Sequence, residues 1–450
     1  MSAAASPFRI ALPAYLSMAL LLGGASASGP VLNGLLQLVG IALIWRALRL
    51  GETDWSIPPG NSAGLRIVMM CIFGWIAIQL VPLPPQLWSA LPGRSAIAEQ
   101  MALLGNTPGW RPIAIEWERT VSSALALIPP LAVLAMALRA TRETLTAALI
   151  ALFTVAVVSM ALGLAQVIGG ETASLRLYPH TVKGTSAGFF ANNNHFATLL
   201  CAAAALAIPG VAPQRKEGEP GSLGWIAYAA LSAAFLINLA TVNRSLAGLG
   251  LAAMVTVYGA MFLAARIGDA RRRTALIGAA GMAGIGAVAA YWLAPAQLTG
   301  RLFANSTDTD SRAYLWDTTW AAIRDTFPAG TGLGNFRWFF PRHENPDVIL
   351  PNYANHAHND WLEFLLEGGV FAAVIAAAVV WFLITLLRAA MAGVPLAEKL
   401  RRASPFVVLA VLLLHSVVDY PLRTSALAAV AALAIAMAMR RYALGARGTD

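Results

Sequence analysis

The sequence predicts an all-α polytopic membrane protein of about twelve transmembrane helices, with one long, partly helical loop on a single side. Three observations lead there. Of the 450 residues, 58% are hydrophobic and only 12% charged, whereas soluble domains carry about 25% charged and about 45–50% apolar residues. Apolar windows of about 17–25 residues, the length that spans a bilayer, recur along the whole chain. These windows lack the period-two alternation of a transmembrane barrel, so each must satisfy its backbone polar groups as a helix.

Taken in order, the windows fall at roughly 9–27, 30–48, 65–84, 121–138, 144–167, 195–212, 225–243, 246–265, 275–294, 361–387, 405–419 and 425–440. The first, with Arg9 before it and Ala25-Ser26-Ala27 at its end, also has the form of a cleaved signal peptide. Its removal would leave the later loops on the same side. Lys and Arg set the orientation. Short basic loops, Arg271-Arg272-Arg273 above all, place both termini in the cytoplasm and the long loop, about 295–360, outside. Pro82, Pro84, Pro85, Trp88, Pro92, Pro108, Trp110 and Pro112 make 85–120 an interfacial cap on that outer surface. The chain reads as one membrane domain over 1–450, without a soluble domain or an internal repeat.

Chemistry concentrates outside. Cys71 and Cys201 lie in apolar runs and read as small core residues. No CxxC or HExxH pattern suggests a metal, and no cofactor is expected. The net charge of +9 points to loop arginines and lipid headgroups rather than to nucleic acid. The long loop holds Arg301, Arg312, Arg324, Arg337 and Arg342 and three of the six histidines. Arg244 turns one span into the next on the same side; a guanidinium there is either a headgroup anchor or a clamp on phosphate oxygens. Asp308, Asp310 or Ser311 can cap a helix over Ala313–Thr326, with Arg312 in its first turn beside backbone amides that suit an anion. Gly330-Thr331-Gly332-Leu333-Gly334 follows, without the Gly-Lys-Ser/Thr of a P-loop. Arg337, Arg342 and Phe339-Phe340 either bind sugar rings and lipid phosphate or pack the loop down. His356 and His358 precede the tenth span, where imidazole suits general-base work and Asn359, Asp360 and Glu363 can orient a ring nitrogen. His195 opens the sixth span after Asn192-Asn193-Asn194. His415 and Asp419, spaced i, i+4, are expected to face one way and hydrogen-bond.

Several segments resemble the O-antigen ligase and O-antigen polymerase superfamily. They are Ser311-Arg312-x3-Trp316, Gly330-x-Gly332-x-Gly334-x-Phe336 and Ala357-His358-Asn359-Asp360-x-Leu362, with Asn243-Arg244-Ser245 and Gly188 to Ala197 before them. His415-Ser416-x2-Asp419-Tyr420-Pro421-Leu422-Arg423 resembles a motif of members linked to exopolysaccharide synthesis. The likeness covers roughly residues 150–440. It implies a GT-C-like, metal-independent glycosyltransferase of the bacterial inner membrane with its active site at the periplasmic face. The donor it implies is a glycan on undecaprenyl pyrophosphate. Two arginines on the pyrophosphate map to Arg244 and Arg312, and a base at the acceptor maps to His358. His356, Asn359, Asn192, Asn194, His195, Arg337, Gly332 and Gly334 are then expected to bind substrate. Many relatives carry Arg where this chain has Asn193, and usually Ser where it has Asn243.

The expected reaction is glycan transfer to an acceptor with inversion, His358 taking the acceptor's proton and the arginines stabilising the leaving pyrophosphate. Three acceptors compete: lipid A core for a ligase, a second lipid-linked repeat for an O-antigen or exopolysaccharide polymerase, and protein hydroxyls for an oligosaccharyltransferase. A flippase for lipid-linked glycans is the rival of another class. It predicts charged or broken helices at the midplane and inverted repeats, whereas polarity here lies on one side.

Overall fold

Alanine decides where the helices of this chain meet. In the computed structural model, residues 8–26, 30–49, 59–170, 175–179, 181, 183–211, 234–235, 237–243, 245–265, 269–271, 273–274, 276, 278, 281, 307–348 and 354–440 are described. In chain order their helices are α1 (Ala11–Leu22), α2 (Pro30–Arg49), α3 (Pro59–Gln79), α4 (Pro85–Ser89), α5 (Ser95–Leu103), α6 (Trp117–Leu125), α7 (Ile128–Ala137), α8 (Arg142–Ile168), α9 (Asn193–Val211), α10 (Leu246–Ala264), α11 (Thr307–Thr326), α12 (Phe336–Phe339), α13 (Asp360–Gly368), α14 (Val370–Met391), α15 (Leu396–His415) and α16 (Ser425–Met439). Pro82–Leu83 pairs antiparallel with Arg111–Pro112. In α16, Ala426, Ala429, Ala432, Ala434 and Ala436 are buried along with Leu427, Val430 and Leu433 between them. A helix apolar on every side belongs at the centre of a bundle, and small side chains let its neighbours come close. It packs on α7, α15 and α1, while α9 packs through a similar alanine run on α15 and α10.

This is an all-α polytopic membrane protein. Among the described residues, six helical stretches are long and apolar enough to cross a membrane: Pro30–Arg49, Gly60–Gln79, Trp117–Ala137, Arg142–Ile168, Leu246–Ala264 and Val370–Met391. The windows at 9–27 and 425–440 are shorter apolar helices, Ala11–Leu22 and Ser425–Met439. Those at 225–243 and 275–294 fall largely outside the described residues. The window expected at 361–387 is two helices, α13 and α14, broken at Gly369. There φ is +54°, and a Cβ would stand 2.0 Å from the Pro328 carbonyl oxygen. The helix breaks because that backbone passes against it and Val370 N–H donates to the Pro328 carbonyl at 3.0 Å.

The long loop makes a small core with Ile115 of the preceding cap and Leu366 of α13, through Leu315, Ala322, Ile323, Phe336, Phe339, Phe340 and Ala357. Phe339 and Phe340 therefore pack the cap and are not presented to sugar. α11 starts at Thr307, earlier than expected, so Arg312 stands on its second turn, away from the open amides. The Pro- and Trp-rich segment is stitched to the glycine turn. Arg94, fully buried, donates to the carbonyls of Pro92 at 2.8 Å, Ile113 at 2.7 Å and Gly330 at 2.6 Å. Burial lowers this guanidinium's pKa to about 10, Asp325 opposing the fall. The three glycines let backbones meet: a Cβ on Gly330 would lie 2.6 Å from the Glu367 carbonyl oxygen, on Gly332 2.6 Å from Ala114 Cβ, and on Gly334 2.3 Å from Ser123 Oγ.

Candidate active site

Beyond His415 the chain leaves α15 and turns, and the turn buries Asp419 completely. Its carboxylate gathers the sequence-selected residues of two distant segments. It accepts from the Asn192 amide at 3.1 Å, the Asn194 amide at 2.8 Å and the Tyr420 N–H at 2.9 Å. His358 Nδ1 lies 3.2 Å away and His195 Nε2 3.6 Å away. Burial alone would push this carboxyl up. The rings of His195 and His358 outweigh burial and hold it well below the usual carboxylate range, so it is ionised.

Asn192 Oδ1 accepts from Asn194 N–H at 2.8 Å, which shapes the entry to α9 and carries His195 inward. His358 sits at φ +48°, in the left-handed region a non-glycine residue rarely enters. Asn359 next to it caps α13, its side chain accepting from Leu362 N–H at 3.0 Å. His415 does not hydrogen-bond to Asp419 through its ring. The helix ends at His415, so the i, i+4 rule stops applying, and the ring meets the Thr198 hydroxyl instead. α11, which carries half-buried Arg312, packs against α13.

Arg244 lies outside the described residues; its neighbours do not. Asn193 donates to the Asn243 carbonyl and Asn243 to the Asn193 carbonyl, both at 2.8 Å, and Asn243 also donates to the Ser186 carbonyl. Ser245 caps α10. Asn193 and Asn243 thus bond each other.

A second node forms around Arg423. Its guanidinium meets Asp360 at 3.3 Å, Glu363 at 3.1 Å and Glu367 at 2.9 Å. These carboxylates sit at i, i+3 and i+7 on one face of α13. Glu363 also receives His356 Nδ1 at 2.9 Å and Ala357 N–H at 2.8 Å, and Glu367 receives Gly334 N–H at 2.9 Å. His356 Nε2 is held by Ser26 Oγ at 2.9 Å. Burial pushes Glu363 up, but Arg423 and His356 together bring it below its ordinary value. Glu367 stays raised by burial, with Arg423 offsetting only part. Arg423→Ala would leave three largely buried carboxylates without their shared cation, Glu363 alone keeping His356. The expected cost is about 3–5 kcal/mol, read as a large fall in the thermal midpoint of the purified protein.

Asp360 behaves differently. Burial pushes its carboxyl up to about 6, against Arg423. Between about pH 4 and 6 the folded chain holds a proton that the unfolded chain has released, so stability falls as pH rises through that window. Asp360→Asn removes this contribution, at most about 3 kcal/mol. Thermal midpoints at pH 4.5 and 6.5 check it, since the variant should gain on the parent as pH rises. A constant difference overturns the expectation.

The site residues thus fall into two groups. Asn192, Asn194, His195 and His358 surround Asp419, and Arg312 stands on α11. His356, Arg337 and Gly334 line a cavity of about 680 Å³, whose walls also include Arg119, Trp338, Trp361 and Arg423. Gly332 packs on Ala114 and lines neither. Tyr420 stands between the groups, its ring 4.2 Å from His356, 4.9 Å from His358 and 4.8 Å from His195. Sequence reasoning missed Asp419 as the common acceptor and missed Arg423. Three carboxylates on one face of a helix amid apolar sequence were the available signal for a buried cation. Among the described residues no group of three or more His, Cys, Asp and Glu is placed to hold a metal ion.

Comparison with known proteins adds one match. Residues 185–377 match the model of a family described as O-antigen ligase. That stretch contains Asn192 to His195, Arg244, Arg312 and His358, and stops short of Asp419 and Arg423. No curated protein matches the chain.

Proposed function

We propose a specific reaction, starting from the match of residues 185–377 to the family model described as O-antigen ligase. The enzyme transfers a glycan from undecaprenyl pyrophosphate to an acceptor hydroxyl at the periplasmic face of the bacterial inner membrane. The observation that carries this reading is His358 beside a buried, ionised Asp419. Asp419 faces Nδ1, which leaves Nε2 to act as base. Among the described residues Nε2 has no hydrogen-bond partner, and Nδ1 meets Asp419 as a close ion-pair contact outside hydrogen-bond geometry.

The acceptor oxygen attacks C1 of the donor sugar, and its proton passes to His358 Nε2. The bond from C1 to the pyrophosphate oxygen breaks, and the anomeric centre inverts. Arg312 and Arg244 stabilise the charge that develops on the departing pyrophosphate, most effectively where water is excluded. Asn192 and Asn194 hold Asp419, and through it His358, in place.

The test is transfer by the full chain in liposomes, with undecaprenyl-pyrophosphate-linked glycan as donor. Lipid A core, a second lipid-linked repeat and a protein hydroxyl serve as separate acceptor arms. Transfer to lipid A core that is lost in folded Arg312→Ala supports the ligase reading. Transfer only to a second repeat or to protein moves it to polymerase or oligosaccharyltransferase. Movement of donor across the bilayer without transfer would replace it by a flippase.

A further inference from the structure

We infer that Glu363 is a positioning residue for His358, acting through the backbone N–H of Ala357, with Arg423 as the cation that holds it there. The inference rests on the transfer reading above and adds how the base is aimed.

The His358 ring does little to place itself. Its Nδ1 meets Asp419 at 3.2 Å outside hydrogen-bond geometry, and the side chain is 25% exposed. A ring held so loosely takes its direction from its own backbone. That backbone stands at φ +48°, which a residue with a side chain keeps only where its surroundings impose it.

The neighbours in the chain supply the constraint. After His358, the Asn359 side chain caps α13, and Asp360 N–H donates to the carbonyls of Ser416 at 2.8 Å and Asp419 at 3.2 Å. These bonds tie the start of α13 to the turn that carries Asp419. Before His358, Ala357 N–H donates to Glu363 Oε2 at 2.8 Å, and His356 Nδ1 meets Oε1 of the same carboxylate at 2.9 Å. One carboxylate thus fixes two successive residues. His358 stands between two anchored N–H groups, those of Ala357 and Asp360.

Glu363 is itself well fixed. Its N–H donates to the Asn359 carbonyl at 3.0 Å, so the helix that follows His358 also carries the group that holds the chain before it. At 1% exposure beside the apolar core of the loop, a hydrocarbon side chain would be cheaper to bury. An ionised carboxylate there needs a cation, and Arg423 supplies it at 3.1 Å. Arg423 comes from the same turn as Asp419 and also meets Asp360 at 3.3 Å. The base, the carboxylate facing it and the carboxylate that positions it are therefore all referenced to one turn, 416–423.

Glu367 is the internal contrast. It meets the same guanidinium at 2.9 Å, yet the backbone N–H it accepts belongs to Gly334. Among the described residues only Glu363 of the three carboxylates bonds to the segment before His358.

The experiment compares Glu363→Ala, Glu363→Gln and Glu367→Gln as full chains in liposomes, by steady-state transfer and by amide hydrogen exchange over residues 355–360. Glu363→Ala should lower kcat about 10–100-fold, the scale of a small misplacement of a catalytic group, with KM for donor and acceptor within about twofold. Glu363→Gln keeps an oxygen for Ala357 N–H and should regain part of that loss. Glu367→Gln also weakens the pairing of Arg423 but should keep kcat within about threefold of the parent. Exchange at Ala357 should quicken about tenfold or more in Glu363→Ala, the worth of one hydrogen bond to a charged group, and stay parental in Glu367→Gln. Added to His358→Ala, Glu363→Ala should cost no further activity, because its route runs through the missing ring.

Folded Glu363→Ala within about threefold of the parent rate overturns the inference. So does a full additional loss in the double variant. So does a raised KM for acceptor with kcat unchanged, which would put Glu363 in contact with substrate. If Glu363→Ala does not fold, Glu363→Gln against Glu367→Gln decides, and equal kcat values overturn the inference. A parent chain that transfers no glycan would sink the proposed reaction, whereas quickened exchange confined to the Glu363 variants would leave the hold on Ala357 standing.

Discussion

His358→Ala is expected to lower glycan transfer by about 10²–10⁴-fold, the usual worth of a positioned general base. Donor binding should survive, because His358 is assigned to the acceptor's proton and not to the pyrophosphate. His356→Ala is the informative comparison. Its ring is fastened at both nitrogens, to Ser26 and to Glu363, so its loss should act mainly on stability, by about 1.5–3 kcal/mol for a hydrogen bond to a charged group, and lower transfer by folded protein less than about tenfold. Initial rates with purified variants in liposomes decide between them. Equal losses in both variants, or a larger one for His356→Ala, would reassign the base to the cavity side of Tyr420.

Asp419→Asn should produce a loss of similar size, about 10²–10⁴-fold, because a histidine base without its orienting carboxylate loses both its ring orientation and the charge that stabilises its protonated form. The substitution keeps the side chain's volume but sets an amide against the amides of Asn192 and Asn194, which now donate to the carboxylate. A fall in stability will accompany it, so the measurement is kcat on correctly folded protein, with donor binding as control. Asn192→Ala and Asn194→Ala, each removing one donor to Asp419, should show the same pattern more weakly. If Asp419→Asn turned over within about threefold of the parent, a difference below 1 kcal/mol, the carboxylate would be structural and the His358 arrangement incidental.

Particular residues show how far the site was legible in the sequence. His358, Arg312 and the Asn192–His195 segment could be picked out because polar groups are costly in an apolar chain and these cluster at helix ends. Asp419 was visible, but its partner was misassigned. Helical spacing suggested His415, whereas the helix stops at that residue and the carboxylate turns to a segment 227 positions away. The glycines were legible as a turn but not as contacts, since each meets a different backbone, at Glu367, Ala114 and Arg119. Arg119 carried no sequence signal beyond being a basic residue near the start of an apolar stretch.

The sequence by itself determined the class of molecule and the residues able to do chemistry. Hydropathy and charge cost are local quantities that add along the chain, so they survive without knowledge of the fold. Tertiary structure alone decided the partnerships: His358 with Asp419, His356 with Ser26 and Glu363, Arg423 with three carboxylates of α13. These pairs join residues up to 330 positions apart. Their geometry depends on where each helix ends, as at His415 and Gly369, and a shift of one residue there turns a side chain by about 100°. That register is set by the packing of alanine-rich helices in the core and by backbones that meet only at glycine.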